Sequence, residues 1–295
     1  MKFKIKPMLS IIIVSFNTRA VLDECLTSLE ALKKEINFEV IVVDNASSDG
    51  SVELVSTQYP WVRLVVLTKN IGFAAGNNQA RKYAKGKIVL FLNPDTIVYK
   101  KTLSQCVQYL TLHERVGAMT CKIVLPDGRL DKDARRSFPT PWIALTHFLG
   151  LDRVFPESRI FGKYWYGYVD ENKFLEVDAL QGAFFMARRK VLDKVGWFTE
   201  DYFLDGEDID LSWKIRHLGY KLIYYPSVKI MHIKKVAKKN LEKIARVKYV
   251  NNGVNSMETF YRKRMWKEYP LILNLLVVFG IRVIKVIRFM IILIK

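Results

Sequence analysis

The sequence predicts an α/β fold: a Rossmann-like, mostly parallel central sheet with helices on both faces, followed by a C-terminal amphipathic helical tail. Three observations carry that expectation. Short, wholly apolar runs alternate with amphipathic stretches through the first hundred residues, the pattern of strands buried on both faces of a parallel sheet. A polar cluster follows each run: Ser15–Asn17, Asp44–Ser51, Lys69–Gly72 and Asn93–Asp95. Right-handed crossovers place strand carboxyl ends along one edge, where ligands bind in open α/β sheets.

The elements follow in order. Basic Met1–Pro7 precedes the apolar run Leu9–Val14. That run is too short for a signal peptide and no small-residue cleavage site follows, so it reads as a first strand, with the catalytic part facing the cytoplasm. A helix is expected from Thr18 to about Lys34, with Val21, Leu22, Cys25, Leu29 and Leu32 on one side. Phe38–Val43, Val62–Leu67 and Ile88–Leu92 read as further strands; helices are expected after the Asp44–Ser51 turn and over Gly72–Lys85. From Phe138 to Phe174 ten aromatic residues, with prolines and glycines, sustain no period. That stretch reads as a long inserted loop, either packed over the sheet edge or forming a wall for acceptor or membrane. Regular structure returns at Leu175–Ala187, a short helix near Arg188–Val195, a helix from Gly206 to His217 and a strand at Lys221–Tyr225.

Charge is unevenly placed. Of the chain's net +18, Lys229–Lys295 carries +13, with sixteen basic and three acidic side chains. A basic tail on a nearly balanced body suits an anionic partner for the tail alone. Leu271–Ile294 is almost long enough to span a bilayer, but Asn274, Arg282, Lys285, Arg288 and Lys295 form one polar stripe. Central charges would each cost about 2.5–3.5 kcal/mol in a spanning helix. A helix lying in the interface, basic residues toward the head groups, avoids that cost; docking on the protein's own core is the alternative. Cys25, Cys106 and Cys121 are scattered without zinc or CxxC spacing and read as buried thiols of a reducing compartment.

Several carboxylates stand where chemistry is expected. Asp44 lies past a buried strand, placed to accept a hydrogen bond from a ligand, while Ser47, Ser48 and Asp49 are expected to cap the next helix. Asp95 suits Mg²⁺ or Mn²⁺ shared with a diphosphate, and equally suits a cap or turn. Asp205, Glu207, Asp208 and Asp210 put four carboxylates within six residues at a helix start, more than the dipole needs. Their repulsion should raise at least one pKa, as a general base requires. His232 is not marked by spacing.

Taken in order, Ser10-Ile-Ile-Ile-Val-Ser-Phe-Asn17, Val43-Asp-Asn-Ala-Ser-Ser-Asp-Gly50, Asn70-Ile-Gly-Phe-Ala-Ala-Gly-Asn-Asn78, Leu92-Asn-Pro-Asp-Thr96, Gln181-Gly-Ala-Phe-Phe-Met186 and Gly206-Glu-Asp-Ile-Asp-Leu211 closely resemble family 2 glycosyltransferases. The bacterial rhamnosyltransferase branch is the most similar, over about residues 9–235. The resemblance implies a GT-A fold. Residues 1–228 would be the catalytic domain, with a donor half to about 100 and an acceptor half after it. Residues 229–268 would be a basic linker and 269–295 a membrane-associated helix. It also implies roles. Phe16 would lie against the base of a nucleoside-diphosphate sugar and Asp44 would accept its N3–H. Ser15, Asn17, Asn70, Gly72 and Asn93 would complete the donor site. Asp95 and His232 would hold Mg²⁺ or Mn²⁺. Asp208 would be the base, supported by Glu207 and Asp210, with Gly182 and Ala183 on the acceptor side. Departures are Asn93 opening the metal motif (usual in this branch), Trp197 after Gly196, Gly206 before the acidic pair, and Ile233-Lys234-Lys235 after His232.

The expected reaction is a single in-line, inverting displacement of a sugar, L-rhamnose from dTDP-rhamnose by resemblance, with a UDP-hexose as the alternative donor. The acceptor would be a lipid-linked or cell-surface glycan on the cytoplasmic face of the plasma membrane, reached by a peripheral enzyme. A nucleotidyltransferase would need a basic phosphate-activating motif that is missing. Nucleic-acid binding by the tail would leave the acidic strand-end clusters without a purpose, and no nucleic acid partner is expected. A catalytically dead sugar-nucleotide sensor would differ only in turnover.

Overall fold

β1 (Leu9–Ser15) is buried at every position and therefore sits inside the sheet, with a parallel neighbour on each side. The computed structural model describes residues 6–234 and 243–294. Lys235 of the post-histidine run, Lys295 of the tail stripe and the first five residues lie outside them. The chain continues as α1 (Arg19–Glu30), β2 (Phe38–Asp44), α2 (Ser51–Gln58), β3 (Arg63–Val66), α3 (Phe73–Gln79) and β4 (Ile88–Leu92). Next come β5 (Thr96–Val98), α4 (Thr102–Leu112), β6 (Val116–Val124), β7 (Arg135–Arg136), α5 (Pro141–Phe148) and α6 (Leu151–Val154). The last group is β8 (Leu175–Val177), β9 (Ala179–Leu180), β10 (Phe184–Arg188), α7 (Arg189–Val195), α8 (Glu207–His217), β11 (Lys221–His232), α9 (Lys243–Phe260) and α10 (Leu271–Ile294).

One nine-stranded sheet runs β3-β2-β1-β4-β10-β6-β11-β5, with β8 also paired to β11; β7 and β9 form a separate ribbon. β3, β2, β1, β4, β6 and β11 share a direction, and β10, β5 and β8 oppose it. The expected mostly parallel sheet is therefore present. Because β10 runs backwards, its first residue lies at the same edge as the last residues of β1, β2, β4, β6 and β11. Every polar cluster singled out above except the Asp205–Asp210 group reaches that edge through the sheet. The acidic group reaches it from α8, which packs against β9 and β11.

Three elements differ from expectation. The helix after Gly72 ends at Gln79, and only turns continue toward Lys85; within it the Asn78 side-chain amide donates to the Phe198 carbonyl and to Glu200. β11 was expected to stop at Tyr225 but runs on past a register shift to His232, which carries that histidine to the sheet edge and crosses the expected boundary at 228. The aromatic stretch holds two short helices, α5 and α6, rather than loop alone: Pro141 starts α5 at its first turn and Gly150, at φ +73°, separates the two.

α9 and α10 close a second apolar cluster over the end of α8, made of Tyr202, Trp213, Val254, Phe260, Tyr261, Met265, Val278 and Ile281. The described residues of the tail stripe each touch neighbouring protein. Asn274 is buried, accepting from the Tyr261 hydroxyl and donating to the Trp266 and Tyr269 carbonyls. Arg282 pairs with Glu258 at 3.3 Å, Lys285 donates to Asn255 at 3.0 Å, and Arg288 lies over the Phe148 ring. These basic residues each have a protein contact, while the Arg282 and Arg288 side chains remain exposed. Leu271, Ile272, Leu275, Leu276 and Phe279 are the exposed side. No helix among the described residues is long and apolar enough to cross a membrane.

Asp210 ties the two clusters together. Its fully buried carboxylate takes Arg264 Nε at 2.6 Å and Nη2 at 3.1 Å, the Thr199 hydroxyl at 2.6 Å and the Tyr202 hydroxyl at 3.2 Å. Removing Arg264 strands the buried Asp210 charge, and removing Asp210 takes away a carboxylate that four donor groups share. Asp210→Ala or Arg264→Ala should each cost about 3–5 kcal/mol in urea unfolding. A loss under about 1 kcal/mol from both would show that this pair does not anchor α9 and α10.

Candidate active site

At the end of β2, Asp44 is buried and its Oδ1 accepts the Ser47 amide at 2.8 Å, an Asx turn. Its Oδ2 is buried with no partner among the described residues. An acceptor left open in this way costs stability unless a ligand donor fills it. Phe16 stands beside this edge with its ring 45% exposed, in contrast to the buried side chains of β1. Ser15 is buried and shares a hydrogen bond with Thr18.

Around that opening the polar residues hold one another. Asn17, at φ +53°, accepts the Ser48 amide on Oδ1 and donates its own amide to the Ser47 hydroxyl, joining the first loop to the turn after β2. Asp49 does cap, but it caps two helices: Oδ2 takes the Arg19 amide opening α1 and Oδ1 the Ser51 amide opening α2. Ser47 and Ser48 therefore bridge to Asn17 instead of capping α2. Asn70 accepts the Gly72 amide, and Gly72 sits at φ +89°, where an added Cβ would fall 2.6 Å from the Phe203 carbonyl. Asn45 clamps this turn, accepting the Ile71 amide and donating to the Gly72 carbonyl.

The next strand ends bring Asp95 and His232 together. His232 Nε2 lies 3.2 Å from Asp95 Oδ1, and its Nδ1 lies 3.0 Å from Asp131 Oδ2. Burial alone would lower the imidazole pKa, but the bonds to Asp131 and Asp95 outweigh it and raise it to about 9. Asn93 contributes backbone: its amide donates to the Ala183 carbonyl and its own carbonyl accepts Thr96. Among the described residues no group of three metal-ligating side chains forms. Asp95 and His232 nonetheless converge on one point with an oxygen and a nitrogen donor, a pair that fits a divalent ion only if a diphosphate completes its shell.

Asp208 lies across from that pair. Its Oδ2 takes Arg136 Nη2 at 2.7 Å and the Gly182 amide at 2.9 Å, and its Oδ1 takes the Ile209 amide at 2.7 Å. Arg136 is buried, held also by the Leu180 carbonyl, and Asp208 keeps it firmly charged against the cost of burial. Gly182 thus meets Asp208 through its backbone, and Ala183 is buried beside it. Glu207 is different: its Oε2 is buried without a partner among the described residues, and burial, then repulsion from Asp208, raises its pKa well above the ordinary value. The expected raised carboxyl is therefore Glu207. Of the three acids in the helix, Asp210 points into the anchor described above and serves helix geometry.

Arg136 and Asp131 were missed by sequence reasoning. Both lie in Asp131-Lys-Asp-Ala-Arg-Arg136, a polar stretch with no period and no element assigned to it. The only available signal was an acidic and basic run directly after the Val116–Val124 strand.

The sheet order defines the class, a GT-A-type α/β protein. A mannosyltransferase from Pyrobaculum calidifontis, solved with GDP-Man and Mn²⁺, superposes with a TM-score of 0.57 at 22% identity, covering 88% of this chain and 65% of that one. S. aureus TarS 1-349 in complex with UDP-GlcNAc does so with a TM-score of 0.55 at 19% identity, covering 84% and 66%. Residues 10–196 match the family model described as Glycosyl transferase family 2, and the chain belongs to that family. N-acetylglucosaminyl-diphospho-decaprenol L-rhamnosyltransferase of Mycobacterium tuberculosis (strain ATCC 25618 / H37Rv) is 26% identical over 254 residues, 77% of this chain and 76% of that protein. Rhamnosyltransferase WbbL of Escherichia coli (strain K12) is 26% identical over 235 residues, covering 76% and 83%.

The raised pKa of Glu207 has a consequence for stability. Folded protein holds a proton that the unfolded chain releases, so stability should fall as pH rises from the ordinary carboxylate value through the raised one. Glu207→Gln should abolish that slope, at most about 1.4 kcal/mol per pH unit, and melt higher than wild type at about pH 8. Thermal melts across pH decide it; parallel slopes would mean that Glu207 is ionised when folded.

Proposed function

We propose that this protein is an inverting, metal-dependent glycosyltransferase that moves L-rhamnose from dTDP-rhamnose to a lipid-linked or cell-surface polysaccharide acceptor. The observation that carries the reading is the common sheet edge, on which the open Oδ2 of Asp44, the Asp95–His232 pair and Asp208 follow one another. The rhamnosyl specificity of two relatives supports the donor sugar, and a decaprenol-linked substrate in one relative's name supports the lipid-linked acceptor.

In this reading Phe16 packs against the pyrimidine and Asp44 Oδ2 accepts its N3–H. Ser15, Asn17, Asn70 and Gly72 shape the donor turn. Asp95 and His232 would hold Mg²⁺ or Mn²⁺ together with the diphosphate, and the ion would supply charge stabilisation for the leaving group. Arg136 and the Gly182 amide take Asp208 Oδ2, and Oδ1, which already accepts the Ile209 amide, uses its second lone pair to accept the proton of the acceptor hydroxyl. The acceptor oxygen bonds to the anomeric carbon as the bond to phosphate breaks, which inverts the centre. Neutral Glu207 donates to the acceptor, and Gly182 and Ala183 line its path.

The enzyme would lie peripherally on the cytoplasmic face of the plasma membrane. Support comes from the outer side of α10, where Ile272, Leu275, Leu276 and Phe279 are unpartnered apolar surface with no acidic residue in the helix. The apolar face, rather than the basic stripe, would then meet the lipid.

Two experiments test these readings. Asp95→Ala should abolish Mn²⁺-dependent calorimetric binding of dTDP-rhamnose. Asp208→Asn should keep donor binding within about twofold while lowering kcat by about 10²–10⁴. Retained anomeric configuration in the product, read by NMR, would end the single-displacement mechanism. For the tail, Leu276→Asp with Phe279→Asp should release the protein from sedimenting anionic vesicles without changing its melting temperature; unchanged co-sedimentation would exclude α10 as the attachment.

A further inference from the structure

Asp131 is the one buried carboxylate at this edge that no role yet described absorbs. It follows β6, whose end folds back through a tight turn: Leu125 and Arg129 pair, and the Asp131 amide donates to the Ile123 carbonyl at 2.8 Å. The side chain is therefore fixed by the backbone of the central sheet. Its two oxygens collect four donors. Oδ2 takes His232 Nδ1 at 3.0 Å and Gln181 Nε2 at 3.1 Å; Oδ1 takes Lys234 Nζ at 2.7 Å and, more loosely, the Asp133 amide at 3.3 Å. The donors come from the end of β11 and the approach to β10, so one carboxylate gathers three strand ends.

We infer that Asp131 is a positioning residue for metal binding, which holds the His232 ring so that only Nε2 is offered to the ion at Asp95. The inference rests on the reading of Asp95 and His232 as metal ligands. An imidazole has two nitrogens, and the bond made by one decides which the other presents. With Nδ1–H committed to Asp131, Nε2 is directed at Asp95 Oδ1, 3.2 Å away. Without Asp131 the ring could turn about its side-chain bonds, and metal binding would have to order it. Outer partners of this kind typically change metal affinity 10–100-fold. Lys234 and Gln181 hold the same carboxylate from other sides and keep it from rotating away.

The test is titration of Mn²⁺ into the full chain with saturating dTDP, bound metal being read from loss of the free-ion electron paramagnetic resonance signal. Wild type, Asp95→Ala, Asp131→Ala, Asp131→Asn and Lys234→Met are compared, each first shown to melt cooperatively. Asp131→Ala should bind Mn²⁺ about 10–100-fold more weakly. Asp131→Asn, which keeps an oxygen for Nδ1–H, should recover part of that loss, and Lys234→Met should stay within about threefold of wild type. Mn²⁺ binding by Asp131→Ala equal to wild type would overturn the inference while leaving the metal site standing. An equal loss in Asp131→Ala and Lys234→Met would also overturn it, since a general tie between strand ends would explain both. Wild type and Asp95→Ala binding alike would remove the metal site itself, and the inference with it.

Discussion

A strand buried on both faces can display polar chemistry only at its ends, and this constraint organises the molecule. β1, β2 and β4 are apolar over nearly their whole length because helices cover both sides of the sheet. Their shared direction brings Ser15, Asp44 and the Asn93–Asp95 turn to one edge. β6 and β11 add Asp131 and His232, and the reversed β10 adds Gly182 from its preceding turn. Six separate segments contribute to one site because their strands point the same way or, for β10, the opposite way from the adjacent position.

Charge at that edge obeys a second rule: a buried carboxylate stays ionised only beside a cation or several donors. Asp208 has Arg136, Asp210 has Arg264, and Asp131 has Lys234 and His232. Glu207 is buried beside two further acids, and the nearby Arg136 is already engaged by Asp208, so its pKa is raised well above the ordinary carboxylate value. One helix turn thus carries an acid paired with Arg136 at the site, an acid of raised pKa beside it and an acid paired with Arg264 in the scaffold. This division follows from which cation each acid reaches.

The same rule orients the tail. An amphipathic helix turns its polar stripe toward whatever satisfies it at least cost. Here α9 supplies Glu258 and Asn255, while the carbonyls near Trp266 and Tyr269 receive Asn274. The stripe consequently makes contacts to protein through Asn274, Arg282 and Lys285, with Arg282 still largely exposed, and the side carrying Leu275, Leu276 and Phe279 faces out. Periodicity showed that a stripe exists; it could not show which surface would meet it.

Periodicity and composition determined a good deal by themselves. The limits of β1 and β4, the alternation that makes a parallel sheet, the three buried thiols and the position of α10 were legible, because each depends on local pattern and burial. Asp44 and the acidic start of α8 were also visible, since strand ends and helix starts leave sequence marks. The tertiary structure alone decided which residues meet across long separations. Arg136 reaches Asp208, Asp131 reaches His232, and Arg264 reaches Asp210. It also decided the length of β11, whose passage through a register shift no alternation announces. The physical reason is common to these cases. A buried charge is stabilised by a partner in space, and the sequence records the charge but not the partner.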